Sequence, residues 1–113
     1  MPVSFDVHVA PSARKDLKGI EAYTAEKWGE RRCDQYMSKL AKRIRALAHS
    51  PRMGVVRKDL RGGNRTLIAG EHLIIYNIVD RRIHISRVLH QSMDIDRKLI
   101  RSRNRDRADE HER

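Results

Sequence analysis

Four basic side chains in the second half of the chain have the right types to handle a phosphate: Arg61, Arg65, Arg87 and His90. Guanidinium groups present planar forks of donors that suit the charge of a phosphorane-like transition state, and a histidine titrating near neutrality can give or take a proton. Such a set is what an RNA-cutting enzyme needs. Against it, His90 is followed by Gln91 and no aromatic residue occurs after Tyr76, so a base held for cleavage lacks the usual stacking platform. Arg87 allows a second reading. Strict alternation places it in a row with Ile83, Ile85 and Leu89, where an unpaired guanidinium is costly. It must sit at the strand's open end or find an acidic partner such as Asp59 or Asp94. His90 falls in the opposite row, with Arg82, His84 and Ser86. A structural ion pair, a contact with a partner and catalysis are all open for Arg87.

Other chemistry is poorly served. The six histidines and the single cysteine, Cys33, lack zinc-ligand spacing, and one cysteine excludes an internal disulfide framework. Gly62-Gly63 lacks the Lys-Ser/Thr ending of a phosphate loop. No metal or other cofactor is called for. With 25 Lys+Arg against 15 Asp+Glu the formal charge is +10, a balance that favours polyanions or an acidic protein as partner. No signal peptide and no run of 18 uncharged apolar residues is present, so a cytoplasmic protein without a membrane partner is expected.

The elements that must position these residues can be read from periodicity. Val3, Phe5, Val7 and Val9 alternate with polar residues, predicting a strand that Pro11 ends. Ser12 is placed to cap a helix whose Leu17, Ile20, Tyr23 or Thr24, and Trp28 share a face. After Gly29, the residues Cys33, Tyr36, Met37, Leu40, Ile44, Leu47 and Ala48 follow amphipathic helical spacing until Pro51. So short a connection at Gly29 predicts an antiparallel helical hairpin. Residues 52–64 read as a loop with an extended piece at Val55-Val56. Arg65 to Ala69, His72 to Val79 and Arg82 to Leu89 are apolar runs separated by Gly70-Glu71 and Asp80-Arg81, which predicts an antiparallel meander. Its middle run is apolar on both parities and should be central, covered by the helices on one side and by something else, such as a partner, on the other. Asp94 to Arg101 suggests a short helix. The whole is an α+β fold: one domain over residues 1–100, then a charged tail, 101–113, expected to be disordered.

Several local motifs match one family in number, order and spacing. They are Ala13-Arg-Lys-Asp16-Leu17 with Ile20 and Tyr23, Trp28-Gly29, Leu47-Ala-His-Ser-Pro51 with Gly54, Asp59-Leu60-Arg61, His72-Leu-Ile-Ile-Tyr76, and Ile85-Ser-Arg87-Val-Leu-His90-Gln-Ser-Met93-Asp94. Over roughly residues 5 to 98 the chain resembles the RelE/ParE superfamily, and Arg87-Val-Leu-His90 with Asp94 is more similar to its ParE branch. The resemblance implies the toxin half of a type II toxin-antitoxin pair that inhibits DNA gyrase. It also implies a ParD-like antitoxin whose acidic C-terminal segment wraps the toxin, with operator DNA reached only through that antitoxin. The residues expected to face partners are Trp28, Tyr36, Leu40, Arg61, Tyr76, Arg87, His90, Asp94 and Arg97. A ribosome-dependent mRNA endoribonuclease is the alternative, using Arg61, Arg65, Arg87 and His90; a non-toxic, partner-binding member is a third possibility.

Overall fold

The computed structural model describes residues 4–92, without the side chain of Arg61. Expectations for Val3, Asp94, Arg97, the short helix and the charged tail lie outside the described residues. Strand β1 (Asp6–Val9) leads into helix α1 (Pro11–Trp28), and Gly29 alone joins it to helix α2 (Glu30–Ala46). Strand β2 (Val55–Val56) and a 3-10 turn (Arg61–Gly63) follow, then β3 (Arg65–Ala69), β4 (His72–Val79) and β5 (Arg82–His90). The sheet order is β1-β5-β4-β3-β2. The meander is antiparallel as expected, with β4 central, whereas β1 joins β5 in parallel, so the sheet as a whole is mixed.

Gly29 makes the hairpin possible. Its φ of 89° and ψ of 163° lie in a region open essentially to glycine, and this conformation reverses the chain in a single residue. The helices then pack on one sheet face. Ala13, Leu40, Leu47, Leu67, Ile74, Tyr76, Ile83, Ile85 and Val88 form that core, with Leu17, Ile20, Met37 and Ile44 packed around it. Cys33 is buried between the helices, its thiol donating to the Glu21 carbonyl at 3.2 Å. On α1 it is Thr24 that turns inward, while Tyr23 and Trp28 stay 61% and 53% exposed. Ser12 is not the N-cap: Pro11 supplies the first helical residue with φ already set, Ala10 is the cap, and Ser12 Oγ instead donates to the Ser86 carbonyl at 2.8 Å.

The opposite face of β4 is covered partly by the chain itself. Leu60, just before the 3-10 turn, is buried with Ile75 and Leu89, and Leu73 packs against them.

The strand β5 does not keep one parity. Ile75 pairs with Arg87 but Tyr76 pairs with Ile85, so Ser86 is an extra residue, a β-bulge. Ile83 and Ile85 face the helices; past the bulge Val88 takes over that face and Leu89 turns to the Leu60 side. The single row of Ile83, Ile85, Arg87 and Leu89 therefore does not exist. His90 is likewise carried out of the row of His84 to the helix side.

Candidate partner-binding groove

The bulge places His90 across from His72, at the end of the sheet nearest the α1–α2 hairpin. Their rings meet edge to face with centroids 5.3 Å apart. Tyr36, reaching down from α2, bonds to His72 Nδ1 and accepts the Glu71 backbone N–H at 3.0 Å. Tyr36 Oη also lies 3.4 Å from the Ala69 carbonyl, so its proton has two acceptors within reach, that oxygen and His72 Nδ1, and the His72 tautomer follows from which of them takes it. Burial, and then the neighbouring His90, push the His72 pKa below its ordinary value; burial also raises that of Tyr36. His90 Nδ1 accepts the Ser92 backbone N–H at 3.1 Å and lies 2.8 Å from Ser92 Oγ. Two imidazole rings thus belong to one corner of the sheet.

The helices supply the walls. Tyr23 and Lys27 are one turn apart on α1, and Lys27 Nζ donates to Tyr23 Oη at 3.1 Å while lying 5.6 Å from the ring centroids of both Tyr23 and Trp28. Arg32 approaches the Trp28 ring from α2, also at 5.6 Å. With Lys39 and Glu71 these residues line a groove whose exposed aromatic surface is framed by three cations and one carboxylate. Tyr and Trp rings this exposed carry apolar area a partner can cover, and the surrounding charge selects for an acidic one.

Arg87 is spoken for. Its Nε and one terminal nitrogen bond the two carboxylate oxygens of Asp16 at 2.7 and 3.0 Å, and Asp16 Oδ2 also accepts the Val88 backbone N–H at 3.0 Å. The acidic partner is therefore Asp16 of α1 and not Asp59, which pairs with Arg57. The reason is the sheet edge. Strand β1 pairs with β5 only as far as Ile85, and Ala10 N–H donates to the Ile85 carbonyl; beyond that, among the described residues, β5 has no strand on the side away from β4. Ser12 and Asp16, four residues apart, then take up the outward Ser86 carbonyl and Val88 amide, because four helical residues rise about 6 Å and two strand residues about 6.6 Å. Helix α1 finishes the ladder with side chains. The Asp16 bonds also raise the Arg87 pKa further, holding it charged.

The remaining candidates are scattered. Arg65 lies at the other end of β3, opposite Tyr76, with its guanidinium on the Gly54 and Arg52 carbonyls at 2.8 and 3.3 Å. Four residues of β4 separate that site from His72, about 13 Å along a strand. Arg61 opens the 3-10 turn. Leu40 and Tyr76 are core residues; the Tyr76 hydroxyl donates to the Pro51 carbonyl and accepts the Gly54 N–H, at 2.8 and 2.9 Å. Arg65, Arg87 and His90 are not gathered into one phosphate-binding cluster. Trp28, Tyr36 and His90 do meet in the groove. Sequence reasoning missed Asp16, His72, Glu71, Lys27 and Arg32 as their company. Counting back from the Asp80-Arg81 turn pairs His72 with Leu89; only the bulge brings it to His90.

The family model describing the ParE toxin of the type II toxin-antitoxin system parDE matches residues 7–95. The chain belongs to the ParE toxin family. Toxin ParE1 of Mycobacterium tuberculosis is 37% identical to it over 92 residues, covering 80% of this chain and 94% of the relative. Toxin ParE1 of Caulobacter vibrioides is 38% identical over 82 residues, 73% of this chain and 84% of the relative. Among solved structures, a chain of the chromosomal ParDE system from P. aeruginosa superposes with a TM-score of 0.68 at 17% identity, covering 77% of this chain and 96% of its own length. A chain of the toxin-antitoxin complex RelBE2 of Mycobacterium tuberculosis gives 0.61 at 20% identity, covering 79% and 100%. These two likenesses carry the fold: a helical hairpin on a five-stranded sheet. Among the described residues of this ParE toxin, no helix is long and apolar enough to cross a membrane.

Proposed function

We propose that this ParE toxin inhibits DNA gyrase in the cytoplasm and is silenced by a ParD-like antitoxin whose acidic C-terminal segment lies in the α1–α2 groove. The observation that carries the antitoxin half is the groove: exposed Trp28 and Tyr23 framed by Lys27, Arg32 and Lys39, with the His72 and His90 imidazoles at its sheet end. An amphipathic acidic segment that orders on binding matches it in shape and charge, and Trp28, Tyr36 and His90 are its contacts. Leu40 and Tyr76 act beneath it by holding the hairpin and the loop in place. Operator DNA is reached through the antitoxin.

For the target half, the fixed partners of Arg87 and Arg65 support inhibition over RNA cleavage. An arginine already bonded to a carboxylate through two nitrogens has little left to offer a transition-state phosphate. The purified chain is expected to inhibit gyrase supercoiling, or to trap cleaved DNA, at stoichiometric amounts. Unaffected gyrase together with mRNA cutting in translating ribosomes, lost in a folded His90→Ala variant, would replace this reading by the ribonuclease. Unaffected growth on induction without the neighbouring gene would replace it by a non-toxic binder.

A further inference from the structure

Gly19 stands in the middle of α1, where glycine is the least favourable residue after proline, yet it has no visible internal reason to be there. It is exposed, its φ is not positive, and a Cβ added to it would meet nothing within 4 Å. Beside it the improvised ladder stops. Ser12 and Asp16 take up the Ser86 carbonyl and the Val88 amide, but the next residues of α1 on that side, Gly19 and Ile20, carry no polar group. Because Val88 N–H turns outward from β4, strand alternation turns the Val88 carbonyl and the His90 N–H the same way. The next amide, Gln91 N–H, turns inward and donates to the Glu71 carbonyl at 3.0 Å, in keeping with a His90 N–H that faces the edge. The cleft between Gly19 and this stretch of β5 is continuous with the hairpin groove, sharing Tyr23, His72 and His90 with it.

We propose that this cleft receives an extended, acidic stretch of the same antitoxin, which passes over Gly19 and adds one strand rung to β5 at Val88–His90. The inference rests on the antitoxin reading above. A bare helix backbone lets another main chain approach closely, and a strand edge offers it donors and acceptors in register. The charge fits: Lys15 lines the cleft, Lys27 lies just beyond Tyr23, and Asp16, among the described residues the one carboxylate in its lining, is already held by Arg87 and Val88. A second copy of this chain is disfavoured as occupant by the +10 charge each copy carries.

The test uses the full chain and the purified product of the adjacent reading frame. Affinity is measured for the native chain and for Gly19→Ala, Gly19→Leu and Val55→Lys, the last on the far edge of the sheet, and thermal midpoints are recorded alongside. Gly19→Ala should melt no lower than the native chain and still bind a few-fold more weakly, and Gly19→Leu should lose about tenfold or more in affinity while Val55→Lys loses none. In the native chain, hydrogen exchange at the His90 amide should slow on binding. A Gly19→Ala variant that binds at native strength, or a His90 amide whose exchange is unchanged in the complex, overturns the proposal, and neither depends on Gly19→Leu folding. If the native chain does not bind the neighbouring product at all, it is the antitoxin reading itself that falls.

Discussion

Arg87 and Asp16 are not equal halves of their pair. Removing the arginine leaves Asp16 still bonded to the Val88 amide and, at 15% side-chain exposure, in reach of water. Removing the aspartate takes the carboxylate from the guanidinium and also strands a backbone N–H at the sheet edge, which loss of the arginine does not. Asp16→Ala should therefore cost more in urea unfolding, about 2–3 kcal/mol against about 1–2 for Arg87→Ala; equal losses would mean that the Val88 bond contributes nothing. His72 adds a pH dependence whose sign follows from its environment. Its folded pKa lies below the ordinary histidine value through burial and the nearby His90, so the unfolded chain takes up the proton first. Stability is complete above that value and falls as the pH drops beneath it. His84, lowered by burial, His8 and Arg82, acts in the same direction. A His72→Gln variant should show a shallower decline in unfolding midpoint between about pH 7 and 5.

At the level of elements, the hairpin hangs on one residue. Gly29 has open space around it, so Gly29→Ala meets no clash and its cost, about 1–3 kcal/mol, comes from the backbone conformation alone. A matching fall in thermal midpoint checks it; an unchanged midpoint would mean that the chain reversal relaxes elsewhere. The strands themselves were legible almost to the residue. Apolar runs bounded by Gly70-Glu71 and Asp80-Arg81 define β3, β4 and β5, and even the two-residue β2 at Val55-Val56 was readable. What could not be read was the phase of β5. An extra residue changes no apolar count, so alternation carried Arg87, Leu89 and His90 to the wrong faces. Asp16 was hidden for a different reason: its partner lies 71 residues away, and nothing local in Ala13-Arg-Lys-Asp16-Leu17 distinguishes a carboxylate facing the sheet from one facing water. Spacing puts Trp28 on the apolar face of α1 with Leu17 and Ile20, yet it is exposed and lines the groove with Tyr36, because α1 has already passed the edge of the core by its last turn.

For the whole molecule the governing quantity is charge. A chain at +10 meeting an acidic partner should associate quickly at low ionic strength and slow steeply as salt rises from about 0.05 to about 0.5 M, with a smaller change in the dissociation rate. Stopped-flow measurements with the antitoxin separate the two; a salt-independent association rate would assign binding to apolar contact alone. Both margins of the sheet are finished in the same way. On one side α1 lends Ser12 and Asp16; on the other, where β2 stops, Arg43 of α2 donates Nε and a terminal nitrogen to the Ile68 carbonyl at 3.1 and 2.8 Å. Ile68 and Val55 are exposed beside it, 57% and 68%. Arg43 thereby works as a stopper: it occupies the acceptor that a neighbouring molecule's strand would use and puts positive charge where two sticky margins could meet. Arg43→Ala should make the apparent mass in sedimentation climb more steeply with concentration than it does for the native chain, so that a helix residue helps set how long the unpartnered toxin stays in solution.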